Sequence, residues 1–192
     1  MKLRYIVIGC IVALYAGCVS VDIKTEIPDV NFYDISLHTQ KILKNPKHSY
    51  GTIISAAMPY DSTDIYKLDL QSLRTRIIPN VQWVSKPKEM LIATLSGMMS
   101  EQGLNLIKPP FGSVKVDKIL KLHIDKILII QRDGKDYATL SIHYDLLSAK
   151  DAGVLKNGVI VREKEIPNMQ DFAPIFLKLS QEVFSEIIGQ IL

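Results

Sequence analysis

His123 and His143 lie in two stretches where apolar and polar residues alternate, and Asp125, Ser141 and Asp145 fall within two positions of one or the other. If the stretches form a hairpin in the register their apolar residues favour, the two imidazoles face each other with carboxylates beside them. Two imidazoles and a carboxylate are the donor set that holds zinc at about 2.0–2.2 Å. Alternating polar side chains on a solvated sheet face give the same pattern without a ligand, and that plainer reading is preferred. No metal is therefore expected, and His123 and His143 remain the only candidates. His38 and His48 have no recognisable partners. The chain carries no nucleophile elbow, phosphate loop, zincin helix or paired-cysteine motif, so no cofactor is expected and it reads as no enzyme.

The other reactive side chain is Cys18. Lys2 and Arg4 precede an uncharged run from Tyr5 to Ala16, and Leu14-Tyr15-Ala16-Gly17-Cys18 closes it. A positive start, a short apolar run and small residues before a cut site make a secretory signal. The run is well short of the roughly 20 apolar residues a spanning helix needs. A cysteine directly after Ala-Gly resembles the bacterial lipobox, where cleavage precedes a cysteine whose sulfur carries a diacylglycerol. Tyr15 stands where that motif usually has Leu, and Leu14 sits one place early. Residues 1–17 thus read as a lipoprotein signal cut between Gly17 and Cys18, with Cys18 acylated and residues 18–30 a tether. Several acyl chains, at about 0.8 kcal/mol per buried methylene, hold a protein firmly to a membrane.

Cleavage leaves 175 of the 192 residues, enough for one domain, 31–192, beyond the tether. Losing Lys2 and Arg4 reduces 23 cations to 21 against 20 acids, close to neutral. That balance argues against nucleic acid, whose phosphates demand a concentrated basic face. With Cys10 discarded and Cys18 acylated, no disulfide forms within the mature chain, and stability falls to packing.

The apolar periodicities point to an α/β (α+β) domain: a single mixed sheet of five to seven strands with two long amphipathic helices packed on it. Asn31–Leu37 reads as a first strand with Phe32, Ile35 and Leu37 buried, and Leu43–Ser49 as a turn. Thr52–Met58 suits a strand buried on both faces, although pattern alone does not separate it from a helix fragment. Ile65–Leu70 and Arg74–Ile78 make a hairpin. A helix starts at Ser85 as N-cap, runs through Met90, Leu91, Leu95, Met98 and Met99, and ends at Gly103. Its methionines are read as core in preference to an adaptable binding face. Trp83 is read as a packed anchor rather than an aromatic platform. Leu104–Ile107 adds a short strand.

Val116–Gln131 and Tyr137–Ser148 form the clearest β signal. A three-residue Arg132-Asp133-Gly134 turn puts Leu120, Leu122, Ile124, Leu128 and Ile130 on one face with Ala138, Leu140, Ile142, Tyr144 and Leu146, and sets His123 opposite His143. Gly158–Ile166 follows an Asn157-Gly158 turn, and Met169–Ile191 is a terminal helix with a stripe from Phe172 to Ile191.

Gln82-Trp83-Val84, then Pro87 and Met90-Leu91 running into an amphipathic helix, resembles the ABC-type transport auxiliary lipoproteins, the PqiC (YmbA) family. There a tryptophan followed a few residues later by proline opens the helix after a central hairpin. The early strand Asn31-Phe32-Tyr33-Asp34-Ile35, the apolar strand near Ser49–Met58, the long hairpin and the terminal helix agree in order, over nearly all of 31–192. The chain departs from the family where Pro59 is followed by Tyr60-Asp61-Ser62 instead of a proline- and glycine-rich site. The resemblance implies a non-enzymatic part of an envelope lipid-transport system, with an ABC permease and ATPase and an MCE-type substrate-binding protein as partners. The lipoprotein would dock that machinery at a membrane from the periplasmic side. Val19 after the modified cysteine favours the outer membrane by the rule of enteric bacteria. A homo-oligomer is left open. The rival reading is a lipid carrier that holds an acyl chain in an internal apolar cavity of a few hundred Å³.

Overall fold

The computed structural model describes residues 29–36, 46–112 and 114–192. Gly17, Cys18, most of the tether, Leu37, His38 and the 43–45 part of the expected turn lie outside them. In chain order the elements are β1 (Asn31–Tyr33), β2 (His48–Ala56), β3 (Asp64–Asp69), β4 (Arg74–Trp83), α1 (Pro87–Glu101), β5 (Leu104–Ile107), β6 (Lys118–Arg132), β7 (Lys135–Ser148), β8 (Val154–Ile166) and α2 (Phe172–Ile191). A 3-10 turn, Met169–Asp171, leads into α2.

The fifteen residues of β6 are the spine of one mixed sheet, eight strands wide rather than five to seven among the described residues. Antiparallel β7 runs along one side of it, and β8 lies antiparallel beyond β7. The other side is shared by two parallel strands. β2 pairs from Tyr50↔Lys118 to Ala56↔Ile124, and β3 resumes at Lys67↔Ile129. Parallel β5 flanks β2, antiparallel β4 flanks β3, and β1 lies parallel to β4.

The β6–β7 turn differs from the expected one. Arg132 pairs with Lys135, leaving a two-residue loop in which Asp133 (φ 51°) and Gly134 (φ 75°) both take the positive φ of a type I′ hairpin. His123 still faces His143, because a bulge between Ile124 and Lys126 absorbs one residue at Asp125. The bulge also reverses parity. Leu120, Leu122 and Ile124 are followed in the core by Ile127 and Ile129, while Leu128 and Ile130 turn to the other face, opposite Thr139 and Tyr137.

Both helices cover one face of the sheet. α2 packs on β7, β8 and α1, and α1 on β5 and β2. The expected stripe of α2 is buried apart from Ile175, which is partly covered. Phe172 and Phe176 set their rings 5.6 and 5.5 Å from that of Trp83, and Tyr33 lies 4.5 Å from Phe172. Trp83 is thus the anchor between the β4–β1 corner and α2. Burying each such side chain is worth about 1.5–3 kcal/mol. Met90, Leu91, Leu95 and Met99 belong to the same core, so the methionine face serves packing.

Other boundaries move for identifiable reasons. Pro87 forces Lys86 into an extended conformation (φ −58°, ψ 138°), so Lys86 is the N-cap; Ser85 stands one residue too far out and no side chain caps the helix. Gly103 (φ 77°) ends α1 in the left-handed conformation expected of it. β1 stops at Tyr33, with Phe32 exposed and Ile35 buried just beyond it. β2 is not buried on both faces, since no described helix covers the outer one and Ile53 is 43% exposed. Asn157-Gly158 lies within β8, paired to Asp145 and Tyr144, and makes no turn. A Cβ at Gly158 would come within 2.9 Å of the Tyr144 ring, which is why the strand carries a glycine there.

Candidate functional site

On the face away from the helices, β2, β6 and β7 bring the predicted histidines together. The Asp125 bulge lies where β2 ends and before β3 resumes alongside β6. Ser55 lies against His123, Oγ to Nδ1 2.8 Å. His123 Nε2 is 4.0 Å from Asp125, and His143 Nε2 is 3.4 Å from Asp145. Ser141 donates to Asp125 at 3.3 Å. A shallow cleft of about 170 Å³ lies over this cluster, with Ile53 and Lys121 at its rim.

Each imidazole therefore keeps a carboxylate of its own strand, two residues along, and the carboxylates do not converge on the pair. Among the described residues no group of three or more His, Cys, Asp or Glu side chains is placed to hold a metal ion. The arrangement is a charged, hydrogen-bonded surface with both histidines half-exposed. Beside it on β8, Val159 and Val161, paired to His143 and Ser141, are 59% and 53% exposed.

A second region, which the sequence reading missed, lies at the sheet margin. β5 pairs with β2 only as far as Gly51↔Ile107, and then the chain turns away through Lys108-Pro109-Pro110. Beyond that point the margin of β2 faces the first turns of α1 across a groove of about 330 Å³. Next to it, Lys88 and Lys86 reach Asp61 at 2.8 and 3.6 Å, tying the loop after β2 to the helix start. The Lys88 hydrogen bond, above all, holds the Asp61 carboxyl below its ordinary value. The cue in the sequence was the Pro109-Pro110 pair one residue beyond a four-residue strand.

The interior is closed by packing and by hydrogen bonds at its rim. Tyr50 bonds to the Ile191 carbonyl at 3.4 Å, Tyr144 to Gln190, and Arg162 on β8 to Glu186 on α2. Burial raises the Tyr50 and Tyr144 hydroxyls above the usual phenol range, with Asp117 and Glu186 respectively adding to the shift. Two further clefts lie at the β3–β4 hairpin: one of about 520 Å³ is lined by polar residues such as Asp69, Arg74 and Gln131, and one of about 340 Å³ by Lys67, Arg76, Ile78, Pro79 and Met169. The second has an apolar wall of Ile78, Pro79 and Met169, but both clefts open to solvent and neither is an internal cavity that would enclose an acyl chain.

A mixed sheet with two helices on one face and an open second face defines the class of protein. No protein-family model and no curated protein matches the sequence. Among solved structures the chain is similar to protein XCC0632 of Xanthomonas campestris, family DUF330, at 15% identity and a TM-score of 0.70, covering 85% of this chain and 95% of that one. An uncharacterised protein matches at 14% identity and TM-score 0.67, covering 85% and 99%. The hypothetical protein CT253 of Chlamydia trachomatis matches at 8% and 0.54, covering 76% and 95%. The chain thus has the DUF330 fold, that of the PqiC/YmbA-like lipoproteins its Trp83–Leu91 segment resembles. None of these matches indicates an enzyme family.

Proposed function

We propose that this chain is a membrane-anchored auxiliary lipoprotein of an ABC/MCE-type envelope lipid-transport system. It catalyses nothing and docks the transport machinery at a membrane, the outer one, from the periplasmic side. The observation that carries the reading is the DUF330 fold over 85% of a chain whose first residues end in Ala16-Gly17-Cys18. Acylated Cys18 would confine the domain to a thin layer above the bilayer. Confinement raises its effective concentration toward a partner that crosses the periplasm, as a linked second site does. The packed interior supports docking over carriage, because Trp83, Phe172, Phe176 and Phe184 fill the space a stored acyl chain would need.

The test is gentle detergent extraction of the tagged full-length chain, followed by identification of what co-purifies. The reading expects an MCE-type substrate-binding protein with its permease and ATPase, and the mass of the complex gives the number of lipoprotein copies. Recovery of the chain without these partners and with bound phospholipid would favour the carrier.

A further inference from the structure

The margin of β2 beyond β5 is an unfinished strand edge. Ala57 N–H donates to the Ile124 carbonyl at 2.9 Å. In a parallel ladder successive residues turn their N–H and C=O groups to alternate sides. Ser55 and Ile53 therefore face β6, and Ile54 and Ala56 turn theirs the other way. β5 would have to continue past Ile107 to meet them, but it ends there, and Pro109 has no N–H to offer. Among the described residues no strand pairs with β2 at Ile54 or Ala56 on the side away from β6. The groove beside this edge has an apolar floor of Ile54, Ile92 and Pro109, with Lys88 and Glu89 of α1 on the far wall and Lys108 at one end. Lys88 is already engaged by Asp61, whereas Lys108 has no ion-pair partner among the described residues.

We propose that this edge is a strand-addition site: an extended peptide segment of a partner protein pairs with Ile54 and Ala56 between β2 and α1. Alternate apolar side chains of the peptide fill the groove, and an acidic one meets Lys108. The occupant follows from the backbone groups. An acyl chain would cover the apolar floor but strip water from two N–H and two C=O groups without replacing it, leaving each buried group unpaired. A peptide strand supplies those partners itself, and side chains of every second residue then read the groove. The contact does not rest on the transport reading, since an open edge captures an extended segment whatever the cargo.

The experiment uses the detergent-solubilised, ¹⁵N-labelled full chain titrated with synthetic hexapeptides. One is acetyl-Asp-Val-Thr-Ile-Ser-Val-amide, the second carries Lys in place of Asp, and the third is the first N-methylated at every residue. The acidic peptide should shift the amide signals of residues 52–56, 88–92 and 108, and slow exchange at Ile54 and Ala56 about tenfold or more. The N-methylated peptide should do neither. Lys108→Glu should weaken the acidic peptide several-fold and reverse the preference between the two charged ones. Ile54→Pro removes an N–H the fold does not use and should abolish protection at Ala56; Ala56→Pro serves the same purpose if the first variant is not folded. The proposal is overturned if Ile54 and Ala56 are already protected in the free chain, if the N-methylated peptide binds as well as its parent, or if no peptide protects them at millimolar concentration. It is equally overturned if dodecanoate, and not the peptides, moves the same signals.

Discussion

The two faces of the β6–β7 hairpin share a backbone and a twist, yet they were built to different ends. On the inner face Leu120, Leu122, Ile124, Ile127 and Ile129 meet Leu140, Ile142, Tyr144 and Leu146 beneath α2 and leave no room. On the outer face the same strands carry His123, Asp125, His143 and Asp145, each half-solvated and satisfied by a neighbour, with Val159 and Val161 uncovered alongside. Stability therefore belongs to one face, while the other face and the margin of β2 remain accessible to partners. The proposed docking role would use this asymmetry, because a partner surface free to evolve must not be the surface that holds the fold together.

The contrast breaks most visibly at the helix–sheet seam. Phe176→Ala removes a wholly buried ring packed on Trp83, and a destabilisation of about 3–5 kcal/mol is expected from urea unfolding followed by Trp83, the chain's single tryptophan. Gly158→Ala pushes a methyl into the Tyr144 ring from the edge strand, and the same assay should register about 1–3 kcal/mol. A rise in stability there would mean that the ring moves freely, and the inner face would be less tightly packed than described.

Acid sharpens the comparison at the groove. Asp61 titrates below its ordinary value of 3.8, mainly through Lys88. A carboxyl whose folded value is depressed stabilises the fold above its unfolded value and loses that contribution as pH falls through the folded one. Asp61→Asn should therefore lower the urea midpoint near neutrality, and the gap from the parent should close as pH drops from about 4 downward. A gap independent of pH would show that the Lys88 contact contributes nothing through charge. The smallest effect is expected on the outer face: His143→Ala should change stability by less than about 0.5 kcal/mol, and zinc should shift the melting temperature of neither form.

Much of this was legible from local pattern. The terminal helix, the methionine-bearing helix ended by Gly103, and the β3–β4 and β6–β7 hairpins all follow from periodicity and turn chemistry. The facing of His123 and His143 shows both the reach and the limit of such reasoning. Apolar rows constrain only the sum of turn length and bulges, so a three-residue turn and a two-residue turn plus the Asp125 bulge leave the same residues opposite each other. Beyond the bulge the two differ, and the core row passes to Ile127 and Ile129. What stayed illegible depends on distant partners. Gly158 answers to a ring on β7, Ile53 is uncovered because both helices chose the other face, and the open edge at Ile54 exists because β5 stops short.

The proposed anchor at Cys18 makes the most direct test of the account, since a docking lipoprotein would work only where its lipid holds it. The measurement is envelope fractionation of the wild-type chain and Cys18→Ser, with mass spectrometry of the mature N-terminus. The account predicts a diacylated Cys18 in the membrane fraction for the wild type, and release of the variant from the membrane with loss of the co-purifying transport proteins. A variant that stays in the envelope with its partners, or a wild-type chain carrying an unmodified Cys18, would contradict it.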